Sequence, residues 1–126
     1  MNSVGQSFAL NRTRQKYLAT RLTIADAHWS RLRGLIGTPV GQFGEGRGLW
    51  ILPCHGVHTW GMGFAIDVVY LGDDYRVVHV ENNLQPWRFA AIRRKAASVL
   101  ELPAHTVQAT GTIVGDEIEI QRAETE

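Results

Sequence analysis

Pro53 to Glu81 reads PCHGVHTWGMGFAIDVVYLGDDYRVVHVE, and its second half decides the fold. Gly72-Asp73-Asp74 is a turn signal between two runs of β-branched and apolar residues, so Asp67–Leu71 and Arg76–Val80 are expected to pair as an antiparallel hairpin. The first half carries the only cysteine, Cys54, and two of the five histidines, His55 and His58. Gly56, Gly61 and Gly63 interrupt it, so that half is expected to run extended with a kink at Gly61 and Gly63.

Outward from the hairpin, the segment GLWILP is a short apolar strand closed by Pro53. SVLEL, from Ser98 to Leu102, is another strand, with Val99 and Glu101 on the face opposite Leu100. GDEIEIQ alternates Ile118 and Ile120 with Glu117, Glu119 and Gln121, which suits a half-buried closing strand. A first strand is expected over Lys16 to Ala25. Asp26 then suits the N-cap of a short helix with Trp29, Leu32 and Ile36 on one stripe, ended by Gly37 and Pro39. Pro103 opens a second short helix, Ala104 to Ala109, which Gly111 stops, while Asn82 to Ala97, broken at Pro86, reads as a long loop or a helical turn.

The expected fold class is α+β, mainly β: a compact, antiparallel, barrel-like sheet of about six short strands with one or two short helices. Alternating βαβ units are absent, which argues against a doubly wound sheet. At 126 residues the chain fits one core. Residues 1–15 are polar and aperiodic and are expected to form a mobile tail, with a single globular domain over 16–122 and a C-terminal tail over 123–126.

Composition narrows the classes of function. An apolar fraction of 44% with 20% charged residues is that of a soluble globular chain. No apolar run approaches the roughly 20 residues that span a bilayer, so a membrane role is not expected. The first twenty residues lack the apolar core of a secretion signal, which places the chain in the cytoplasm unless a leader has been trimmed. Net charge is +1, with seven basic and two acidic residues up to Trp50 and six basic and ten acidic after it. That balance falls far short of a typical nucleic-acid-binding domain and argues against such a partner. The glycines of VGQFGEGRG are too irregular, and lack a following Lys-Ser/Thr, for a phosphate-binding loop.

Cys54, His55 and His58 are of the residue types that hold a metal or form a thiol with its base. Their spacing weakens both readings: on a regular strand His55 and His58 point apart, and Cys54 and His58 lie about 13 Å from each other at about 3.3 Å per residue. No metal and no cofactor is therefore expected, Cys54, His55 and His58 remaining the candidates if one binds. Asp67 precedes an apolar run, where an unpaired carboxylate costs several kcal/mol, so it must find donors. The amides of Trp60 to Gly63, Thr59 or His58 would make it a structural latch. Trp60, Met62 and Phe64 lie beside these groups, and PWRFAAIRRK interleaves Trp87 and Phe89 with Arg88, Arg93, Arg94 and Lys95, a combination suited to an anionic ligand or protein surface.

RLRGLIG, then GLWILPCHGVHTWGMGFAIDVVYLGDDYRVVHV, SVLELPA and GDEIEI resemble, in order and spacing, the prokaryotic family known as domain of unknown function 192. The resemblance spans about Leu18 to Gln121 and is most specific around Trp60, Met62 and Asp67. It implies a compact β-rich domain with short helices, implies no reaction, and places Arg33, Gly34, Trp60, Met62, Asp67, Leu100, Glu101 and Gly115 on the family pattern. The chain departs from that pattern at Gly63, where a lysine or arginine often stands, and at His105, where a glycine often stands.

Two functions remain open. One is a small non-catalytic binding or assembly module that meets a small ligand or a protein partner through His58, Trp60, Met62 and Asp67, with Trp87 and Arg88 beside them. The other is a metal-assisted or thiol-based hydrolase built on Cys54, His55, His58 and Asp67, with Cys54, His58 and Asp67 as the catalytic candidates. An enzyme requires those polar atoms to converge around an open space. A binding module requires only an accessible patch.

Overall fold

The computed structural model describes residues 6–26, 43–60 and 62–123. The helix expected after Asp26, with Trp29, Leu32 and Ile36, lies outside the described residues, as do Arg33, Gly34, Gly37, Pro39 and Gly61. The described elements are β1 (Phe8–Asn11), β2 (Lys16–Ala19), β3 (Arg21–Asp26), β4 (Arg47–Leu52), β5 (Ile66–Leu71), β6 (Val77–Leu84), β7 (Ser98–Pro103), α1 (Thr106–Thr110) and β8 (Ile118–Gln121). The fold is mainly β, of the α+β class. The strands form two separate sheets, β2-β1-β8 and β3-β4-β7-β5-β6, rather than one closed barrel. All pairings are antiparallel except β3 with β4.

The expected hairpin forms, with Val69 opposite Val80 and Leu71 opposite Val77. It extends further than expected, because β6 continues to Leu84 beside Ile66. β7 inserts between β4 and β5, and β5 is buried along its whole length. Strand alternation therefore builds a core on each face of the larger sheet. One face carries Trp50, Val69, Leu71, Leu100 and Leu102 against Ala9, Leu18 and Ile118 of the smaller sheet and Val107 of α1. The other carries Leu49, Ile51, Ile66, Val68, Tyr70 and Val99 against Phe43, Met62, Ala90 and Ala96. At Gly48 the sheets approach closely enough that a Cβ would stand 2.8 Å from that of Ala19. The indole N–H of Trp50, in the first core, meets no acceptor among the described residues, although the Arg122 guanidinium lies 5.3 Å from the centre of its ring.

Two expectations near the N-terminus are corrected. Phe8–Asn11, inside the expected tail, is the central strand of the smaller sheet, and the expected strand from Lys16 to Ala25 is two, split at Thr20. β1 is too short to show a periodicity, and what fixes it is distant in sequence. The buried Asn11 amide donates to Thr112 Oγ1 and to Asp116 Oδ2, both at 2.9 Å. Arg14 Nε donates to the same carboxylate oxygen at 3.0 Å, and the Ile113 N–H donates to it at 3.1 Å. Burial pushes the Asp116 carboxyl up, but the hydrogen bonds from Arg14, Asn11 and Ile113, with the Arg14 charge, outweigh it and hold the group below the usual carboxylate range.

Glu101 is the exposed-type residue that this sheet buries most completely in its middle strand. It stands on β7 between Leu49 and Val68 and is 5% exposed, and its carboxyl has no hydrogen-bond or ion-pair partner among the described residues. Burial raises its carboxyl from 4.5 to about 8. A raised acid holds its proton more tightly folded than unfolded, so stability is highest below the unfolded value and declines as pH climbs from about 4.5 to about 8. Over that window Glu101 is expected to cost several kcal/mol, and Glu101→Gln to flatten the decline. Urea midpoints of both proteins from pH 5 to 9 check this; parallel slopes would show that the carboxyl is not the cause.

Candidate functional site

The run after β4 is extended, and it zips against Trp87–Ala97. Cys54 N–H donates to Ala97 O at 3.0 Å, Arg93 N–H to His55 O at 2.9 Å, Ala90 N–H to Val57 O at 2.9 Å, and Thr59 N–H to Arg88 O at 2.8 Å. These two segments cover the second face of the large sheet. Tyr70 fastens them from the sheet side, donating its hydroxyl to Ala91 O at 2.6 Å, and burial above all pushes that hydroxyl well above its usual range. At Gly56 the segments come so close that a Cβ would stand 2.9 Å from Ala91 O. Thr59, fully buried, pins them: its hydroxyl donates to Gln85 O at 2.6 Å and accepts the Arg88 N–H at 2.9 Å.

On the outer side of this zipper the aromatic groups collect. Trp60, Trp87 and Phe89 are 48%, 60% and 72% exposed, enough to form one accessible apolar face rather than part of a core. The Trp60 ring lies 6.0 Å from that of Trp87 and 5.3 Å from that of Phe89, and His58 meets Phe89 edge-on at 6.2 Å. Trp87 holds a left-handed backbone, φ 63°, a costly conformation for a bulky residue, sustained here by its N–H bond to Thr59 O at 3.0 Å. The sequence separated these rings into two motifs; the zipper joins them, adding Phe89 to the expected His58, Trp60, Trp87 and Arg88.

Other expected members lie elsewhere. Met62 is 4% exposed and belongs to the core beneath, and Asp67 is fully buried. Asp67 also takes different donors from those expected: Asn83 N–H on Oδ1 and Val107 N–H on Oδ2, both at 2.8 Å. The reason is its face. Asp67 alternates with Val68 and so points with Val69 towards α1, whereas Thr59 and His58 lie over the opposite face. It lines a cleft of about 540 Å³ that none of the aromatic groups borders.

The imidazoles were expected to diverge, yet both are exposed. Alternation is reset at Gly56, so Cys54, Val57 and Thr59 turn inward while His55, His58 and Trp60 turn outward. Each polar group nonetheless has its own engagement. His55 Nδ1–H donates to Ala96 O at 2.7 Å, since a carbonyl only accepts, and His58 Nδ1 accepts the Trp60 N–H at 3.3 Å. The Cys54 thiol donates to Gly56 O at 3.1 Å. Among the described residues no three His, Cys, Asp or Glu side chains gather as a metal site would require.

The family model described as Uncharacterized ACR, DUF192, matches residues 9–120, from β1 to β8. The chain belongs to the DUF192 family. Two archaeal UPF0127 proteins are similar to this DUF192 chain. That of Thermococcus sibiricus is 30% identical over 115 residues, covering 87% of this chain and 72% of that protein. That of Pyrococcus furiosus is 32% identical over 120 residues, covering 90% and 97%. Two crystal structures share the fold. A Novosphingobium aromaticivorans protein of unknown function superposes with a TM-score of 0.73 at 18% identity, covering 92% of this chain and 84% of its own. A Sinorhizobium meliloti protein described as a candidate transcription regulator gives 0.72 at 20%, covering 94% and 98%. Among the described residues of the DUF192 chain no helix is long and apolar enough to cross a membrane.

Thr59→Val keeps the shape of the pin while stranding Gln85 O and Arg88 N–H. At about 1–3 kcal/mol for a buried group left unmet, the variant is expected to melt several degrees lower. It should also weaken the Trp60–Trp87 exciton signal in circular dichroism. An unchanged melting point and an unchanged signal would show that Thr59 does not hold the rings together.

Proposed function

We propose that this DUF192 chain is a non-catalytic binding module whose aromatic face docks a protein segment carrying acidic and apolar groups. One observation carries the reading: Trp60, Trp87 and Phe89, brought from two segments, stand together in solvent beside His58 instead of joining the core below them. Large rigid rings that accept burial without losing many rotamers are the usual anchors of protein recognition. Charge supplies the partner's sign. No acidic residue occurs between Glu81 and Glu101, while Arg88, Arg93, Arg94 and Lys95 are all exposed and none is in an ion pair among the described residues. A second copy docking by the same face would set these cations against each other, which disfavours self-pairing there. The separate engagement of His55, His58 and Asp67 favours the binding reading over the hydrolase.

Peptides of one length provide the test, with Tyr and Leu interleaved in turn with Glu, with Gln and with Lys. Titration calorimetry should detect binding of the Glu peptide alone, weakening with salt and at least tenfold weaker in Trp60→Ala/Trp87→Ala. Equal response to all three peptides, or undiminished binding by the double variant, would overturn the proposal.

A further inference from the structure

Away from the aromatic face, the cleft beside Asp67 is walled by Asn82 and Asn83 of β6 and by His105, Val107, Gln108 and Ile113 of the α1 region. At about 540 Å³ it falls within the roughly 300–1,000 Å³ of small-molecule sites. Among the described residues no lysine or arginine lines it. The one carboxylate among the described lining residues, Asp67, is buried with an oxygen on each of two backbone N–H groups, so it offers little to a cation. The side chains of Asn82, Asn83, His105 and Gln108, in contrast, make no hydrogen bond to any described residue.

We propose that this cleft binds a neutral polyhydroxylated ligand, with a saccharide as its chemical class. Each carboxamide presents a donor and an acceptor side by side, and so does a pair of neighbouring hydroxyls, so three carboxamides and an imidazole match such a ligand without calling on formal charge. Val107 and Ile113 supply an apolar wall for its C–H face. The walls are preorganised: Asn83 and His105 hold left-handed backbones, φ 52° and 76°, and the Asp67 carboxylate fastens both β6 and α1. The backbone of the cleft is thus held before a ligand enters, and the ordering left to binding is that of its exposed side chains.

Side-chain amide NMR of the full chain tests this, with glucose, maltotriose and diacetylchitobiose as probes and inorganic phosphate as the charged control. At least one sugar should shift the Asn82, Asn83 and Gln108 side-chain amides saturably, and phosphate should not. Asn82→Ala/Gln108→Ala, both exposed positions, should weaken that binding tenfold or more while β5 amide shifts stay in place, and Trp60→Ala/Trp87→Ala should leave it unchanged. The proposal is overturned if no sugar moves these amides, if phosphate binds as well, if the Asn82/Gln108 variant binds like the parent, or if binding is lost only with the tryptophans.

Discussion

Asp67 sits in the most deeply buried strand of the molecule, and its two hydrogen bonds decide how the parts around that strand are arranged. An unpaired carboxylate there would cost several kcal/mol, whereas hydrogen bonds to a charged acceptor contribute about 1.5–3 kcal/mol each. Both oxygens are met by backbone N–H groups, Asn83 in the irregular end of β6 and Val107 at the start of α1. Those two points are 24 residues apart in sequence and share no other hydrogen bond among the described residues, so one side chain joins the edge of the sheet to the helix that packs on its face.

Once that face is closed by α1 and the smaller sheet, the opposite face must be covered by something else. Among the described residues the cover is the zipper of two extended segments, held by Thr59 and Tyr70. Its inner side chains, Met62, Ala90 and Ala96, complete a core, and its outer ones, Trp60, Trp87 and Phe89, are left in water. A cover made of backbone hydrogen bonds needs few inward side chains, which frees the bulky ones to face outward. The aromatic face is thus a consequence of how the second core is sealed.

Much of this was legible in the sequence because it rests on local pattern. Gly72-Asp73-Asp74 between β-branched runs identified the hairpin, Gly111 the end of α1, and the alternation around Ile118 the last strand. The family pattern was informative at His105, where glycine often stands: the residue holds φ 76°, a conformation glycine adopts without strain. What escaped was long-range. Nothing in FALN announces that Asn11 will bond Thr112 and Asp116 more than a hundred residues away, and no spacing rule places Trp60 beside Trp87. Asp67 in an apolar run announces a need for donors but not which ones, because a sequence gives the face of a strand only relative to other residues of that strand. The histidines depart from simple strand alternation for a related reason, since the single residue Gly56 resets it.

Native-state hydrogen exchange at two amides tests the account most directly. Asn83 is an exposed residue near the end of an edge strand, and without a buried acceptor its amide would exchange almost as fast as in an open chain. With the Asp67 carboxylate holding them, the amides of Asn83 and Val107 should both be protected nearly as well as those of β5. Rapid exchange at Asn83 while β5 stays protected would contradict the claim that Asp67 ties the sheet edge to the helix.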